Sequence, residues 1–492
     1  MRQNMRSIRI AVAALTGLGL AFAGVHAASA TGPSWEPPVV VSNAADHFTG
    51  FLTQAAPDGA IVTVWIDSVN DAYQLYASTS QDGLEWSTPV AIGDPSGGMT
   101  WPTLAVDGNG VFVTAWRSIT GGNAPLYVSR STDGATWSAP VSVSDPSTSA
   151  EGVAVAGRAT GGFVLAWIVG SGENGRVYVA RSSDGATWGP AAISEASGET
   201  VSFPAITAAS DGRTLVTYRS TDGSTSWLNT FERSASGTWT TTPHIASSPT
   251  GFNFVTVAPT TETGYAAIWA NWDGITGFTE IASSADGVTW STPTRLSAET
   301  SMTALNQQLV RMSTGRLIAA WSEVGDPTQT RYTAISDDNG ATWDEPVAFA
   351  TGVPRLWGLA FRIDQNDELA AVFDDNPDGT GRHMQFRTST DGVNWSDPEE
   401  LGGAPHRGET PQLVSLGDGT WVAVWTVTVD DHREMWASAR TPSSAPSPSE
   451  SASATAETSA LATTGVDTAW TLSAIVALLA GGILLSRARR AR

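Results

Sequence analysis

The sequence predicts an all-β chain folded as a β-propeller, and three observations predict it. Tryptophan recurs with a fixed period: Trp35, Trp86, Trp137, Trp188, Trp239, Trp290, Trp343 and Trp395 are spaced by 51, 51, 51, 51, 51, 53 and 52 residues. A repeat of that length built from short β-rich runs and glycine turns is the signature of one four-stranded blade, and about 51 residues are too few for a self-sufficient sandwich. The composition agrees: among 492 residues there are 49 Gly, 26 Pro and 21 Trp but only 15% charged residues, which disfavours helices rich in Ala, Glu, Lys and Leu. Within each repeat, hydrophobic alternation with period two marks out the strands.

The same composition excludes several chemistries. Cys is absent, so disulfides, thiolate metal sites and Cys nucleophiles do not arise. All 26 basic residues are Arg, which removes Schiff-base chemistry, a Lys general base and the P-loop lysine. A formal net charge of −22 argues against nucleic acid, whose phosphates require a basic surface.

From the N-terminus, residues 1–30 read as a secretory signal peptide: Arg2, Arg6 and Arg9, an apolar run from Ile10 to Val25, then Ala28-Ser29-Ala30. Cleavage is expected after Ala30. Residues 31–440 form the repeat array. Repeat two shows its strands as Thr103–Val106, Gly110–Trp116, Leu126–Arg130 and Ala139–Ser144, with a turn at Ser131–Trp137 between the last two. The second strands end on Trp65, Trp116, Trp167, Tyr218, Trp269, Trp321, Phe373 and Trp425, a ladder that fills the wedges between blades. The final repeat has three strands, near Gln412–Leu416, Trp421–Val427 and Glu434–Arg440. Ser34–Ser42 at the start matches the missing turn and outer strand. The N-terminal strand is therefore expected to close the last blade and remove the open edges, giving eight blades, with seven as the alternative count.

Residues 441–460, made only of Thr, Pro, Ser, Ala and Glu, read as a disordered tether. Residues 461–492 then carry Leu461-Ala462-Thr463-Thr464-Gly465, an apolar run over 469–485 long enough for a transmembrane helix, and four arginines behind it. This tripartite tail resembles a Gram-positive sortase sorting signal of the LAxTG type, an LPxTG-like variant found in high-GC actinobacteria. The resemblance implies a secreted, cell-wall-anchored protein whose partners are a sortase and the peptidoglycan precursor. The sortase thiol would attack the Thr464 carbonyl, release Gly465 onward, and pass Thr464 to an amine of the precursor. The membrane is met only through the C-terminal helix, before processing.

Ser80-Gln81-Asp82-Gly83-Leu84-Glu85-Trp86 recurs as Ser131–Trp137, Ser182–Trp188, Ser284–Trp290 and Ser389–Trp395, with its fullest form at Ser336–Trp343. Asp in such a turn accepts bonds from nearby N–H groups, Gly takes the positive φ, and Trp plugs the hairpin mouth. The pattern resembles the Asp-box of sialidases and related BNR-repeat propellers, over roughly residues 33–440. Five of the six boxes are one residue short between Asp and Gly, and Ser234–Trp239 replaces the Asp altogether.

The resemblance specifies a fold more than an activity, because the boxes sit away from the face where propeller sites lie. A sialidase would be expected to carry an arginine triad, a Tyr nucleophile backed by Glu, an Asp acid/base, and six blades. Here Tyr76, Tyr127 and Tyr178 share one repeat position, Tyr218 belongs to the second-strand ladder, and residues 31–80 contain no Arg to supply the family's Arg-Ile-Pro signature. The face opposite the boxes is instead expected to be acidic and aromatic. Trp101, Trp272 and Trp357 are the candidate ligand-binding residues. If the protein were an exo-sialidase-type glycoside hydrolase, Glu323, Asp374, Asp375, Arg355 and Arg407 would be its candidate catalytic groups. The sequence assigns no metal site. Asp374-Asp375-Asn376-Pro377-Asp378-Gly379 is the nearest approach to a Ca²⁺ loop but lacks the EF-hand spacing and terminal Glu, so no cofactor is expected beyond Ca²⁺ as the one ion this run could hold. The expected role is a surface binding or adhesion module for an extracellular glycan or protein ligand, with sialidase-like hydrolysis as the alternative.

Overall fold

A computed structural model describes residues 34–442 apart from short segments at 43–49, 70–71, 95–97, 120–122, 171–173, 195–197, 210, 250, 261–263, 273–276, 298–302, 326–327, 355–357, 376–382, 402–406 and 430–431. Its strands form eight four-stranded antiparallel sheets. Blades 1 to 7 occupy residues 51–92, 99–142, 150–193, 200–248, 252–295, 303–354 and 359–400, each with its strands in sequence order. Blade 8 joins residues 407–440 to the N-terminal strand Val39–Ser42.

The closure follows the predicted register. Val39 lies opposite Ala437 and Val40 opposite Trp436, while Trp35 bridges to Arg440. Glu36 N donates to Ala439 O at 2.9 Å, and the Trp35 ring meets Phe386 edge-on at 5.0 Å. Val41 is buried with Phe51, Ile61 and Trp65 of blade 1, so the segment that completes blade 8 also seals it against its neighbour.

Strand ends differ from the sequence reading in two ways. The outer strand of blade 2 is only Val141–Ser142, because Pro140 has no N–H to continue the ladder. The inner strand is longer, Met99–Val106, and carries a bulge between Thr100 and Thr103. Blade 4 departs in the other direction: its outer strand Trp239–Ser248 runs ten residues through a β-branched Thr240-Thr241-Thr242 run.

The core lies between blades. Trp65, Trp116, Trp269, Trp321 and Trp425 are fully buried, and Trp65, Trp116, Trp167 and Trp321 stack on Tyr76, Tyr127, Tyr178 and Tyr332 of the adjacent strand at 5.7–6.2 Å. These tyrosines are packing residues, as the repeat position shared by Tyr76, Tyr127 and Tyr178 predicts, and Tyr332 joins them.

The Asp-boxes lock neighbouring blades. Asp133 Oδ1 accepts from Ala135 N at 3.0 Å and Thr136 N at 2.7 Å, Ser131 Oγ accepts from Gly134 N at 2.9 Å, and Trp137 Nε1 donates to Gly134 O at 3.0 Å. Gly134 combines φ +71° with close approach, since a Cβ there would lie 2.3 Å from Val62 Cγ2 of blade 1. The Thr136 N–H, with the Ser131 hydroxyl and Ala135 N–H, holds the Asp133 carboxyl below its ordinary range against the opposing pull of desolvation. In the blade 7 box, burial pulls Asp391 upward, but donors from Asn394 and Val393 outweigh it and leave it at about 2.

Candidate functional site

Turns between the first and second strands share one end of the ring with the Asp-boxes. Connections between the second and third strands, and between blades, lie at the opposite end, where the sequence analysis places its candidates. Of these, Arg355 and Trp357 lie outside the described residues, as do Leu461, Ala462, Thr463, Thr464 and Gly465. Trp101 lies at the bulge of Met99–Val106 and Arg407 opens Arg407–Ser415, with their side chains outside the described part. Trp272 ends Tyr265–Trp272, half-buried, its N–H donating to Asn271 Oδ1 at 2.8 Å and its carbonyl accepting from Ser248 Oγ at 3.1 Å.

The acids lie within strands. Glu323, in Leu317–Val324, accepts the indole N–H of Trp321 at 2.9 Å. Asp374, in Leu369–Asp375, is 1% exposed and paired with the fully buried Arg331 at 3.0 Å. Gly358 N also donates to Asp374 Oδ1 at 3.2 Å, while Arg331 donates to Gly358 O at 2.9 Å and lies 4.8 Å from the Phe373 ring centre. Burial pushes the Arg331 guanidinium down and Asp374 and Asp375 pull it back up, so this is an ion pair tying blade 6 to blade 7. Asp375 beside it is half-buried.

Two features of this end escaped the sequence reading. The first is a row of bulges: blades 2 to 6 and blade 8 each break register in the inner strand, at Thr100/Thr103, Glu151/Val153, Ser202/Ala205, Asn253/Thr256, Leu305/Gln308 and Glu409/Gln412. Phe203, Asn306 and Thr410 in these bulges have φ of 52°, 58° and 48°. Non-glycine residues there cost on the order of 1–3 kcal/mol each, the kind of strain that accompanies functional surfaces. Trp101-Pro102, Phe203-Pro204 and Thr410-Pro411 were the available signal, because proline inside a strand marks a bulge or an edge.

The second is a side-chain cluster on the two flanks of blade 4. Toward blade 5, Phe203 is 43% exposed, and the Arg219 guanidinium lies 5.0 Å from its ring centre while Arg219 Nε donates to Ser202 Oγ at 3.1 Å. Toward blade 3, Glu199 accepts from the Ser220 hydroxyl and meets His244 Nε2 at 3.1 Å. Asn229 fixes both partners: its Nδ2 donates to Ser220 Oγ at 2.9 Å and its Oδ1 accepts from His244 N at 2.8 Å. The His244 ring stacks on Trp227 at 4.5 Å and 17°, with His244 itself at φ 59°. The long outer strand of blade 4 brings His244 into reach. Together the two flanks present aromatic faces, a cation and a carboxylate; the two-carboxylate route of glycoside hydrolysis needs a second acid beside the first.

A cleft of about 590 Å³ opens at the seam between blades 8 and 1, lined by Val40, Trp65, Asp67, Tyr76, Leu84 and Trp86 among others. Its floor is the packed Trp65–Tyr76 pair and its wall is the closing strand.

A family model described as a BNR repeat-like domain matches residues 227–447, from the third strand of blade 4 to beyond the end of blade 8. This supports a BNR-repeat propeller. No curated protein matches the chain. Among solved structures, the chain is similar to an α-L-arabinanase of Penicillium chrysogenum complexed with arabinobiose, at 13% identity over 59% of this chain and 92% of that one, with a TM-score of 0.39. It is also similar to a protein of unknown function from Dyadobacter fermentans, at 14% identity over 84% and 99% with a TM-score of 0.41. A sialidase of Streptococcus pneumoniae is similar at 11% identity over 78% and 83%, with a TM-score of 0.37.

Proposed function

We propose that this BNR-repeat propeller is a binding module for an extracellular glycan, captured on the end of the ring opposite the Asp-boxes at blade 4. The observation that carries the reading is the pair of aromatic surfaces on the two flanks of blade 4: an exposed Phe203 backed by Arg219 on one, and on the other a Trp227–His244 stack oriented by the Glu199 carboxylate. Aromatic faces stack on sugar rings, and the polar groups around them fix orientation. Glu323 serves the Trp321 indole and Asp374 is sealed under Arg331, so neither supports the hydrolytic alternative. In this account the signal peptide exports the chain, and sortase joins Thr464 to the peptidoglycan precursor, displaying the propeller on residues 441–460.

A glycan array probed with residues 31–442 tests the proposal. Retained binding by a Trp137→Ala control that still folds, with loss in Phe203→Ala and Trp227→Ala, is the expected result. Binding that ignores both blade 4 substitutions would place the ligand elsewhere, and capture of a protein ligand alone would replace the glycan.

A further inference from the structure

On the Asp-box end, blades 3 and 4 bring three arginines together. Gly212, in the first turn of blade 4, marks the meeting point: a Cβ there would lie 3.7 Å from both Arg158 Nη2 and Arg181 Nη2, and Arg233 Nη1 donates to the Gly212 carbonyl at 3.1 Å. Arg181 has its counterpart in Arg130 of blade 2, but the other two depart from the repeat. Arg158 stands where blades 2 and 7 have Asp107 and Asp364, and Arg233 stands where the boxes have their first serine, in the one internal repeat whose box lost its Asp. Arg440 holds the same position in blade 8, but there Glu399 binds it through two bonds of 2.8 Å.

Arg158, Arg181 and Arg233 have no such partner: none forms an ion pair among the described residues, and the Nε atoms of Arg158 and Arg181 are buried without a hydrogen bond. The neighbouring acid, Asp211, is held by Arg213 at 2.6 Å. Burial, then Arg233 and Arg158, push the Arg181 guanidinium down to about 10. Three like charges converging in a chain of net charge −22 cost stability unless something compensates them.

We propose that Arg158, Arg181 and Arg233 form an oxyanion site for a sulfate or phosphate group. Three planar guanidinium forks meeting around one turn suit the several oxygens of a tetrahedral anion. The site lies at the end of the ring away from the blade 4 glycan surface and does not depend on it.

Thermal melts and calorimetric titrations of residues 31–442 with inorganic sulfate and phosphate, at constant ionic strength, test the site. The expected result is a saturable rise in Tm and one-to-one binding, weakened at least 10-fold by Arg181→Gln or Arg158→Gln. In anion-free buffer Arg181→Gln should melt no lower than the parent, because it relieves repulsion. That readout separates loss of the site from loss of the fold. A sulfated oligosaccharide and a phosphorylated sugar, run in parallel, distinguish the sources, and binding of either that needs Arg181 supports the proposal. No saturable response to any of these anions, or equal responses in parent and variant, would overturn it.

Discussion

Glu232 gives the fold a destabilising carboxyl whose effect can be worked out and removed. It lies in Ser226–Arg233, 2% exposed, with its Oε1 lacking a hydrogen bond, beneath the Asp-box glycine Gly287 and beside the fully buried Tyr265. Burial pushes its pKa up; Arg213 pulls it down, Asp286 and Asp211 push it further up, and it settles at about 7. Below pH ~4.5 the carboxyl is protonated in both folded and unfolded chains and adds no pH-dependent cost. As pH rises, the unfolded chain releases the proton while the native state retains it until pH ~7, so stability falls across that window. The loss is complete above ~7 at about 3 kcal/mol, since each pKa unit is worth about 1.4 kcal/mol. Glu232→Gln keeps the shape and removes the titration. Urea melts at pH 5 and pH 8 should therefore show the parent losing about 2.5 kcal/mol more than the variant on going to pH 8, part of the loss being already present at pH 5. Equal pH dependence in the two proteins would refute the reasoning. The Asp-box carboxylates act in the opposite sense: Asp133 and Asp391 are held low, so their contribution is present above pH ~4 and is lost on acidification, for Asp391 as pH falls through about 2.

Deleting residues 31–42 strips the outer strand from blade 8 and removes Trp35 and Val41, uncovering Phe386 and the Phe51–Trp65 surface they cover, so unfolding free energy should fall by about 5 kcal/mol with increased aggregation by light scattering; a truncated chain that melts like the parent would mean the seam contributes nothing. Asp374→Asn leaves Arg331 buried without its counter-charge and should cost about 3–5 kcal/mol by urea melt, whereas an exposed acid would cost under ~1. Thr464→Ala should shift the protein from the cell-wall fraction to the membrane or medium, and unchanged covalent wall attachment would exclude sortase processing at that residue.

The ring was legible because its signals repeat. Eight tryptophans at one spacing, the ladder ending at Trp425 and the match of Ser34–Ser42 to the box and outer strand all report the same geometry, and the closure register follows from them. The box chemistry was legible too, since Asp133, Gly134 and Trp137 act within a few residues of one another. The blade 4 surface was hidden because it is built from exceptions. Glu199 and His244 are 45 positions apart and meet only through the long strand Trp239–Ser248, and Phe203 is turned by a bulge that strict alternation does not anticipate. Asp374 illustrates the converse problem: in sequence it opens an acidic run, yet strand pairing continues to Asp375 opposite His383 and carries Asp374 into the interface with blade 6.

The central claim is that the propeller captures a glycan without converting it, and one measurement reaches it directly. The strongest array ligand, together with a fluorogenic sialoside as reference substrate, is incubated overnight with residues 31–442 at a protein concentration above the measured Kd, and the sugars are then weighed by mass spectrometry. The account expects saturable binding with every ligand mass unchanged. Release of a cleaved sugar that depends on Glu323 or Arg407 would contradict it and make the protein a glycoside hydrolase.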